Sequence, residues 1–495
     1  MESATLTSTS GRPRATLASV RDIPWPWLAL GVLVACTVAG FLVYPTYPNY
    51  DSYYSLIWGR EVLHGIKPSF EAYRAPTEHP LAIGFGALLS LLGRGGDRVM
   101  VGATLASFVF LAAGMYRLGR ATFTPLVGLI AAALVCTRFD FPFLAARAYI
   151  DIPYLAFVIW AAALEAERPR RGMPVLALLT CAGLLRPEAW LMAGLYFLWI
   201  APAADWPGRI RAAALAATAP AIWVAVDIVV TGRPLFSLRH TSGLAEELGR
   251  AKGLSGIPHA TETFLLSLDK APVLLAGILG LALVLWLAPR RLGMPLTLLV
   301  VGLGTFVLVG LAGLSVIDRY LLVPSLMVMV FAAVTLGGWT MLREGTLVRR
   351  LWALGAVLVV AYGVIFTVSR VNLGSFTSEL KFRGESHASL IRLLSQPAVR
   401  AGRRCGPIFT PNHKLIPDTR WILGARQDDV LARSDPATAG KVTRGVALLA
   451  TNRTSLLRNG LTQGIETPAD TADNLPPAGF HRAGTSTFYG AYVRC

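Results

Sequence analysis

The chain has 495 residues, 54% of them hydrophobic and only 15% charged, with a mean hydropathy of +0.54. A soluble globular protein carries nearer a quarter charged residues, so this composition excludes an ordinary soluble enzyme and indicates a polytopic α-helical membrane protein. The formal charge of +17 reads as the arginine excess of cytoplasmic loops; no basic-aromatic motif supports a nucleic acid partner.

Residues 1–26 carry Arg12, Arg14 and Arg21 ahead of a long apolar span. That span has no small-residue cleavage site, so it reads as an uncleaved first helix behind a cytoplasmic N-terminal segment. A spanning helix needs about 20 apolar residues. Stretches of that kind lie near 27–44, 99–116, 122–146, 152–167, 173–186, 189–203, 212–231, 271–288, 295–314, 319–338 and 350–368, which predicts about 11 transmembrane helices within a domain over 27–368. The shorter apolar run Leu81–Leu92 is expected to lie along the interface. With that run outside the count, the arginines of the N-terminal segment and of the turns at 117–120, 168–171, 209–211, 290–291 and 343–350 share one side. By the positive-inside rule that side is cytoplasmic in a multi-pass plasma membrane protein. The opposite face then receives the loop 45–98, the turns at 146–151, 186–188 and 315–319, the loop 232–270 and the tail.

The first outer loop is the most polar stretch of the bundle. It carries Asp51, Glu61, His64, Lys67, Glu71, Arg74, Glu78 and His79, set among tyrosines that include Tyr50 and Tyr53. Charges at membrane depth cost roughly 2.5–3.5 kcal/mol each on insertion scales and persist for pairing or function. Asp51 follows Pro48-Asn49-Tyr50 just beyond a span, and Asp151, in Arg147-Ala-Tyr-Ile-Asp151, recurs on the same face about 100 residues later. A carboxylate there can take a proton from an acceptor hydroxyl, and a pair can hold a divalent metal. The bland readings are a helix cap for Asp51 and a local ion pair with Arg147 for Asp151. Arg319, between Asp318 and Tyr320, presents a planar fork suited to phosphate, as does Arg186, with Glu188 as its near partner. Glu78 and His240 come from separate outer loops and are too few to define a zinc site.

The tail 369–495 changes character and predicts a small extracytoplasmic α/β domain, with a helix at 387–400 and strands at 405–410, 421–423 and 446–450. It holds 17 Lys and Arg against 9 Asp and Glu. Cys405 and Cys495 lie in this polar region, where they could pair if it is extracytoplasmic; Cys36, Cys136 and Cys181 lie in apolar spans. Asn452-Arg-Thr fits a glycosylation acceptor, a triplet common by chance. The sequence carries no Walker loop, GxGxxG, GxSxG or HExxH. Energy for a transfer reaction must then come from an activated substrate, and for a membrane enzyme that points to a lipid-phosphate carrier.

These features resemble the GT-C superfamily of integral membrane glycosyltransferases, including the protein O-mannosyltransferases and the aminoarabinose lipid A transferases. Tyr50-Asp51-Ser52 is similar to the first-loop acidic motif, and Arg147…Asp151-Ile152-Pro153 to the second. Gly65 through His79-Pro80-Leu81 resembles the family's Pro-rich loop with one proline missing. Asp318-Arg319-Tyr320-Leu321…Pro324 resembles a late Arg-Tyr-Leu-Pro motif. The resemblance implies a polyprenyl-phosphate sugar donor and transfer, with inversion, to a hydroxyl of a cell-envelope glycan, glycolipid or protein. Asp51 would be the base, and Asp151 would orient acceptor or sugar. Arg319 would hold the leaving phosphate, assisted by Arg147, Arg186 or Lys67. Tyr50, Tyr53, His79, Glu188 and Tyr320 would contribute to substrate binding. Glu78 and His240 match positions that bind zinc in some relatives, so a divalent metal stays open while no cofactor is assigned. The competing readings are a transporter or flippase of a lipid-linked saccharide, and a non-catalytic scaffold. A transporter would place its ionisable groups near the midplane within repeats, and no repeat is visible.

Overall fold

The computed structural model describes residues 25–247, 257–314, 316–370, 373–438, 440–459, 461 and 474–495. In lipid every backbone polar group must be satisfied within its own segment, and the apolar stretches accordingly fold as helices. They run α1 (Trp25–Val43), α2 (Tyr50–Leu63), α3 (Pro80–Ser90), α4 (Gly96–Thr122), α5 (Pro125–Thr137), α6 (Asp140–Ala146) and α7 (Asp151–Glu167). The bundle continues with α8 (Met173–Leu185), α9 (Glu188–Ile200), α10 (Trp206–Thr231), α11 (Phe236–Glu247), α12 (Ile257–Leu287), α13 (Gly293–Leu311), α14 (Leu322–Gly337) and α15 (Leu347–Arg370).

Each stretch expected to span is helical, though not all eleven form long helices. Among the described residues seven helices are long and apolar enough to cross a bilayer, or eight if α5 and α6, bent by 63°, form one broken span. Helix α7 has 17 residues, and α8 and α9 have 13 each. At 1.5 Å per residue, α8 and α9 reach only about 20 Å. Helix α14 runs through the centre with nearly every side chain buried, whereas α1 and α15 expose apolar faces along their length.

Two short helices set the loop after α1. Asn49 caps α2, its side chain accepting from the backbone N–H groups of Asp51 and Ser52. Pro80 starts α3 at a position where a missing N–H costs nothing. The two helices cross at Gly59 and Gly86, where a Cβ on either glycine would fall inside the backbone of the other helix.

Beyond α15 lie α16 (Leu373–Ser395), α17 (Pro397–Gly402), α18 (Ile416–Leu423) and α19 (Arg453–Arg458) with a five-stranded sheet. Its strands are β1 (Ile408–Thr410), β2 (Val430–Ala432), β3 (Gly445–Ala450), β4 (His481–Thr485) and β5 (Tyr489–Arg494), in the order β2-β1-β3-β5-β4. Strands β1, β2 and β3 are parallel, while β4 and β5 form an antiparallel hairpin on β3. The expected strand at 421–423 is instead the end of α18. Pro417 opens that helix, Gly424 closes it in the left-handed conformation, and Trp421 and Ile422 are buried. The expected helix at 387–400 is divided between α16 and α17 by Gln396-Pro397.

The sheet domain is fastened to the bundle and to itself. Arg420 of α18 is fully buried and donates to Glu61 of α2 at 2.6 Å and to Ser69 Oγ at 3.1 Å. His387 of α16 stacks on Tyr47 and lies 3.8 Å from Asp97 of α4. Cys405 and Cys495 form a disulfide across a separation of 90 residues. Asn452 caps α19, its side chain accepting from Thr454 N–H.

Candidate active site

A cavity of about 670 Å³ lies between one end of the bundle and the sheet domain. The loops that build it are the ones that follow α1, join α6 to α7, join α8 to α9 and precede α14. At the other end of the bundle, Arg117 of α4 makes a two-pronged contact with Glu167 of α7 at 2.7 Å. Asp51 and Asp151 thus share the end opposite to the basic turns at 117 and 168.

A small set of backbone contacts brings the two acids together. Asn49 N–H donates to Arg147 O at 2.8 Å, and Ser52 Oγ donates to Ala148 O. These bonds stitch the first turn of α2 onto the α6–α7 turn, where Ala148 adopts a left-handed conformation (φ 55°). Asp51 therefore sits beside the first turn of α7, which begins at Asp151.

Arg319 completes the group. It lies in a short 3-10 turn (Asp318–Leu321) ahead of α14, and Gly302 of α13 leaves room for Pro324 behind it. Arg319 Nη1 is 3.3 Å from Asp51 Oδ2 and 3.7 Å from Asp151 Oδ2. Arg186 donates to Asp151 Oδ1 and, at 3.0 Å, to Glu188 Oε1. Two guanidiniums thus serve three carboxylates. Tyr320 and Tyr154 flank Arg186, and Tyr149 lies 5.7 Å from the Arg319 guanidinium. Asp151 is wholly buried, while the Asp51 side chain is 24% exposed. Of the two acids, Asp51 is the one that can meet a substrate.

Of the other sequence candidates, Tyr50, His79, Arg147, Arg186, Glu188 and Tyr320 line the cavity. Tyr50 donates to the Arg74 carbonyl at 2.8 Å. His79 is buried beneath the arginines. Burial, reinforced by Arg186 and Arg319, lowers its pKa to about 3, so the ring is neutral at physiological pH. Arg147 does not pair with Asp151, and it makes no ion pair among the described residues.

Two candidates fall elsewhere. Lys67 is exposed on the loop after α2 and does not line the cavity, because the Glu61–Ser69 contacts turn that loop outward. Tyr53 is fully buried on the opposite face of α2, its hydroxyl 3.2 Å from Asp97 Oδ2 and 3.2 Å from His387 Nδ1. Its place is in the seam between α4 and α16.

Glu78 and His240 do not fit a metal centre. His240 directs Nε2 to the Ala75 carbonyl at 3.1 Å and stacks on Phe236. Glu78 is buried near Asp227, and Ser237 spends its hydroxyl proton on Asp227. Burial first, then Asp227, raises the Glu78 pKa to about 8. Among the described residues no group of three or more His, Cys, Asp or Glu is placed to hold a metal ion.

The sequence reading did not single out the sheet domain's contribution, which includes Arg383, His413, Lys414, Asp418 and Arg458. Nothing in their local sequence signals a site; only the folded approach of α16, α18 and α19 does.

No family model and no curated protein matches the sequence. Solved structures do. The chain is similar to ArnT from Cupriavidus metallidurans bound to undecaprenyl phosphate, with TM-score 0.55, 11% identity, and coverage of 95% of this chain and 98% of that one. It is similar to the same protein in the apo state, with TM-score 0.53, 14% identity and coverage of 94% and 98%. It is also similar to the oligosaccharyltransferase of Archaeoglobus fulgidus in the apo form, with TM-score 0.52, 12% identity and coverage of 89% and 71%. At these identities the likeness establishes the fold alone: that of those structures, a multi-pass helical domain, here with a small sheet domain at its C-terminal end.

Proposed function

We propose that the protein is a membrane glycosyltransferase that moves a sugar from a polyprenyl-phosphate donor to a hydroxyl of an envelope glycan, glycolipid or protein, on the outer face of the plasma membrane. The observation that carries this reading is the meeting of Asp51 and Arg319, remote in sequence, in one cavity at one end of an apolar bundle, with Asp151 buried behind Arg319. The ArnT relative of the same fold is described with undecaprenyl phosphate bound, which supports a lipid-phosphate carrier.

In this reading Asp51 accepts the proton of the acceptor hydroxyl. The hydroxyl oxygen bonds to the anomeric carbon from the face opposite the phosphate. The bond from carbon to phosphate oxygen breaks with its electron pair, leaving polyprenyl phosphate and an inverted linkage. Arg319, held from behind by Asp151, is placed to meet the charge that develops on the leaving phosphate. Asp151 is a positioning residue, since it is sealed from the cavity and acts through Arg186 and Arg319.

A transporter or flippase would gather its ionisable groups at the midplane on broken helices; these gather at one end. The test is purified full-length protein with a panel of polyprenyl-phosphate sugars, the product read by mass spectrometry. Wild type is expected to form a new glycosidic bond, and Asp51→Asn to lose it while still binding donor. Movement of lipid-linked sugar without bond formation would establish the flippase instead.

A further inference from the structure

The cavity has a second wall that this transfer chemistry leaves unused. In the sheet order β2-β1-β3 the chain leaves β1 toward β2 and returns on the other side as β3, all three parallel. The crevice outside the carboxyl ends of strands at such a reversal is where open α/β sheets take ligands. Here the carboxyl end of β1 leads into Asn412, His413 and Lys414, and that of β3 into α19, followed by Asn459. Asn412 Nδ2 donates to the Asn459 carbonyl at 2.7 Å, tying the two ends together. His413, Lys414, Arg458 and Asn459 all open into the cavity. His413 lies edge-on to Tyr50, with ring centres 5.5 Å apart, so the crevice runs on to the residue beside Asp51.

The charge of this wall is opposite in balance to that around Asp51. Arg383 of α16 donates to Glu379 at 2.8 Å, and Arg458 pairs with the same carboxylate. Arg147 of the α6–α7 turn lines the same cavity, repelled by Arg383 and attracted by Asp418. Asp418, the other acid on this side, lies 3.6 Å from His387. One glutamate thus stands between two arginines, with a third arginine in the same cavity. The sheet domain's 17 Lys and Arg against 9 Asp and Glu point the same way. Most of the apolar lining, including Phe139, Leu268 and Leu314, comes from the bundle, where a lipid chain would run, with Phe382 and Leu415 added by the sheet domain.

We propose that this crevice binds the acceptor, and that the acceptor carries an anionic group, phosphate or carboxylate, seated on Arg383, Arg458 and Lys414 while its hydroxyl reaches Asp51. The planar fork of arginine suits both anions. The proposal rests on the transferase reading for the word acceptor, but its test does not require transfer. Full-length protein in lipid nanodiscs is titrated with glucose 6-phosphate, glucuronate and glucose, and separately with a short-chain polyprenyl phosphate. The charged sugars are expected to bind at least tenfold more tightly than glucose, with an advantage that shrinks as salt rises. Lys414→Gln with Arg458→Gln is expected to abolish that advantage and leave polyprenyl phosphate binding within twofold of wild type. Lys414→Arg with Arg458→Lys, which keeps the charges, is expected to restore it and controls for folding. Equal binding of glucose and the charged sugars overturns the proposal. So does loss of polyprenyl phosphate binding in the Gln pair, which would give these cations to the donor. If the charged sugars bind as expected but no sugar is ever transferred, the crevice stands and the transferase reading fails.

Discussion

Helix α2 carries an ion pair at each end, and the two are built for different ends. At its first turn Asp51 meets Arg319, with both side chains about a quarter exposed and turned toward the cavity. Near its last turn Glu61 meets Arg420, with side chains 10% and 1% exposed, and both partners also hydrogen-bond to Ser69. The first pair has spare capacity: its carboxylate has one arginine and open space, so a hydroxyl can approach. The second pair is buried away from the cavity, and what it supplies is attachment of the sheet domain. Exposure to the cavity, more than the presence of opposite charges, separates a pair that can react from a pair that holds.

Substitution at each end should break this contrast in opposite ways. Asp51→Asn is expected to lower kcat by about 10²–10⁴-fold, the range for a lost general base, with little change in unfolding temperature; a large stability loss with retained turnover would reverse the two roles. Glu61→Gln leaves Arg420 buried without its partner. It is expected to destabilise by about 3–5 kcal/mol, read by thermal unfolding in detergent, with turnover per folded molecule preserved. Replacing Glu61 and Arg420 together with Met should recover most of that loss, because the cost lies in the orphaned charge. Cys405→Ser with Cys495→Ser is expected to cost about 2–4 kcal/mol, confined to the sheet domain and visible as faster proteolysis there.

A pH-dependent effect belongs to a third acid, which neither reacts nor holds. Glu78 keeps its proton in the folded state up to a pKa of about 8, against 4.5 for an ordinary glutamate. Between those values the folded chain binds a proton that the unfolded chain has released, so stability falls as pH rises through that window. Glu78→Gln is expected to flatten this slope, unfolding at higher temperature than wild type at pH 9 and near it at pH 4.5. Parallel melting curves at all pH values would remove the assignment.

Much of this was legible in the sequence for physical reasons. Asp51, Asp151 and Arg319 stand out because charge beside an apolar span is costly enough to demand a cause. The cap reading offered for Asp51 belongs instead to Asn49, because the helix starts at Tyr50. Lys67 and Tyr53 misled because composition cannot say which way a loop or a helix face turns. Trp421–Leu423 looked like a strand because a short apolar run has no period of its own. The cationic wall was invisible, since Arg383, Lys414 and Arg458 meet only after α16, β1 and α19 have packed.

The crossing of α2 and α3 at Gly59 and Gly86 has a reach beyond packing. Gly59 lies eight residues along the same rigid rod as Asp51, or about 12 Å. A single methyl group there must lever the rod off its bed, and the far end of the lever is the carboxylate that would take the proton. An alanine at position 59 touches no substrate, yet it should cost turnover before it costs folding, because chemistry tolerates a smaller misplacement than burial does.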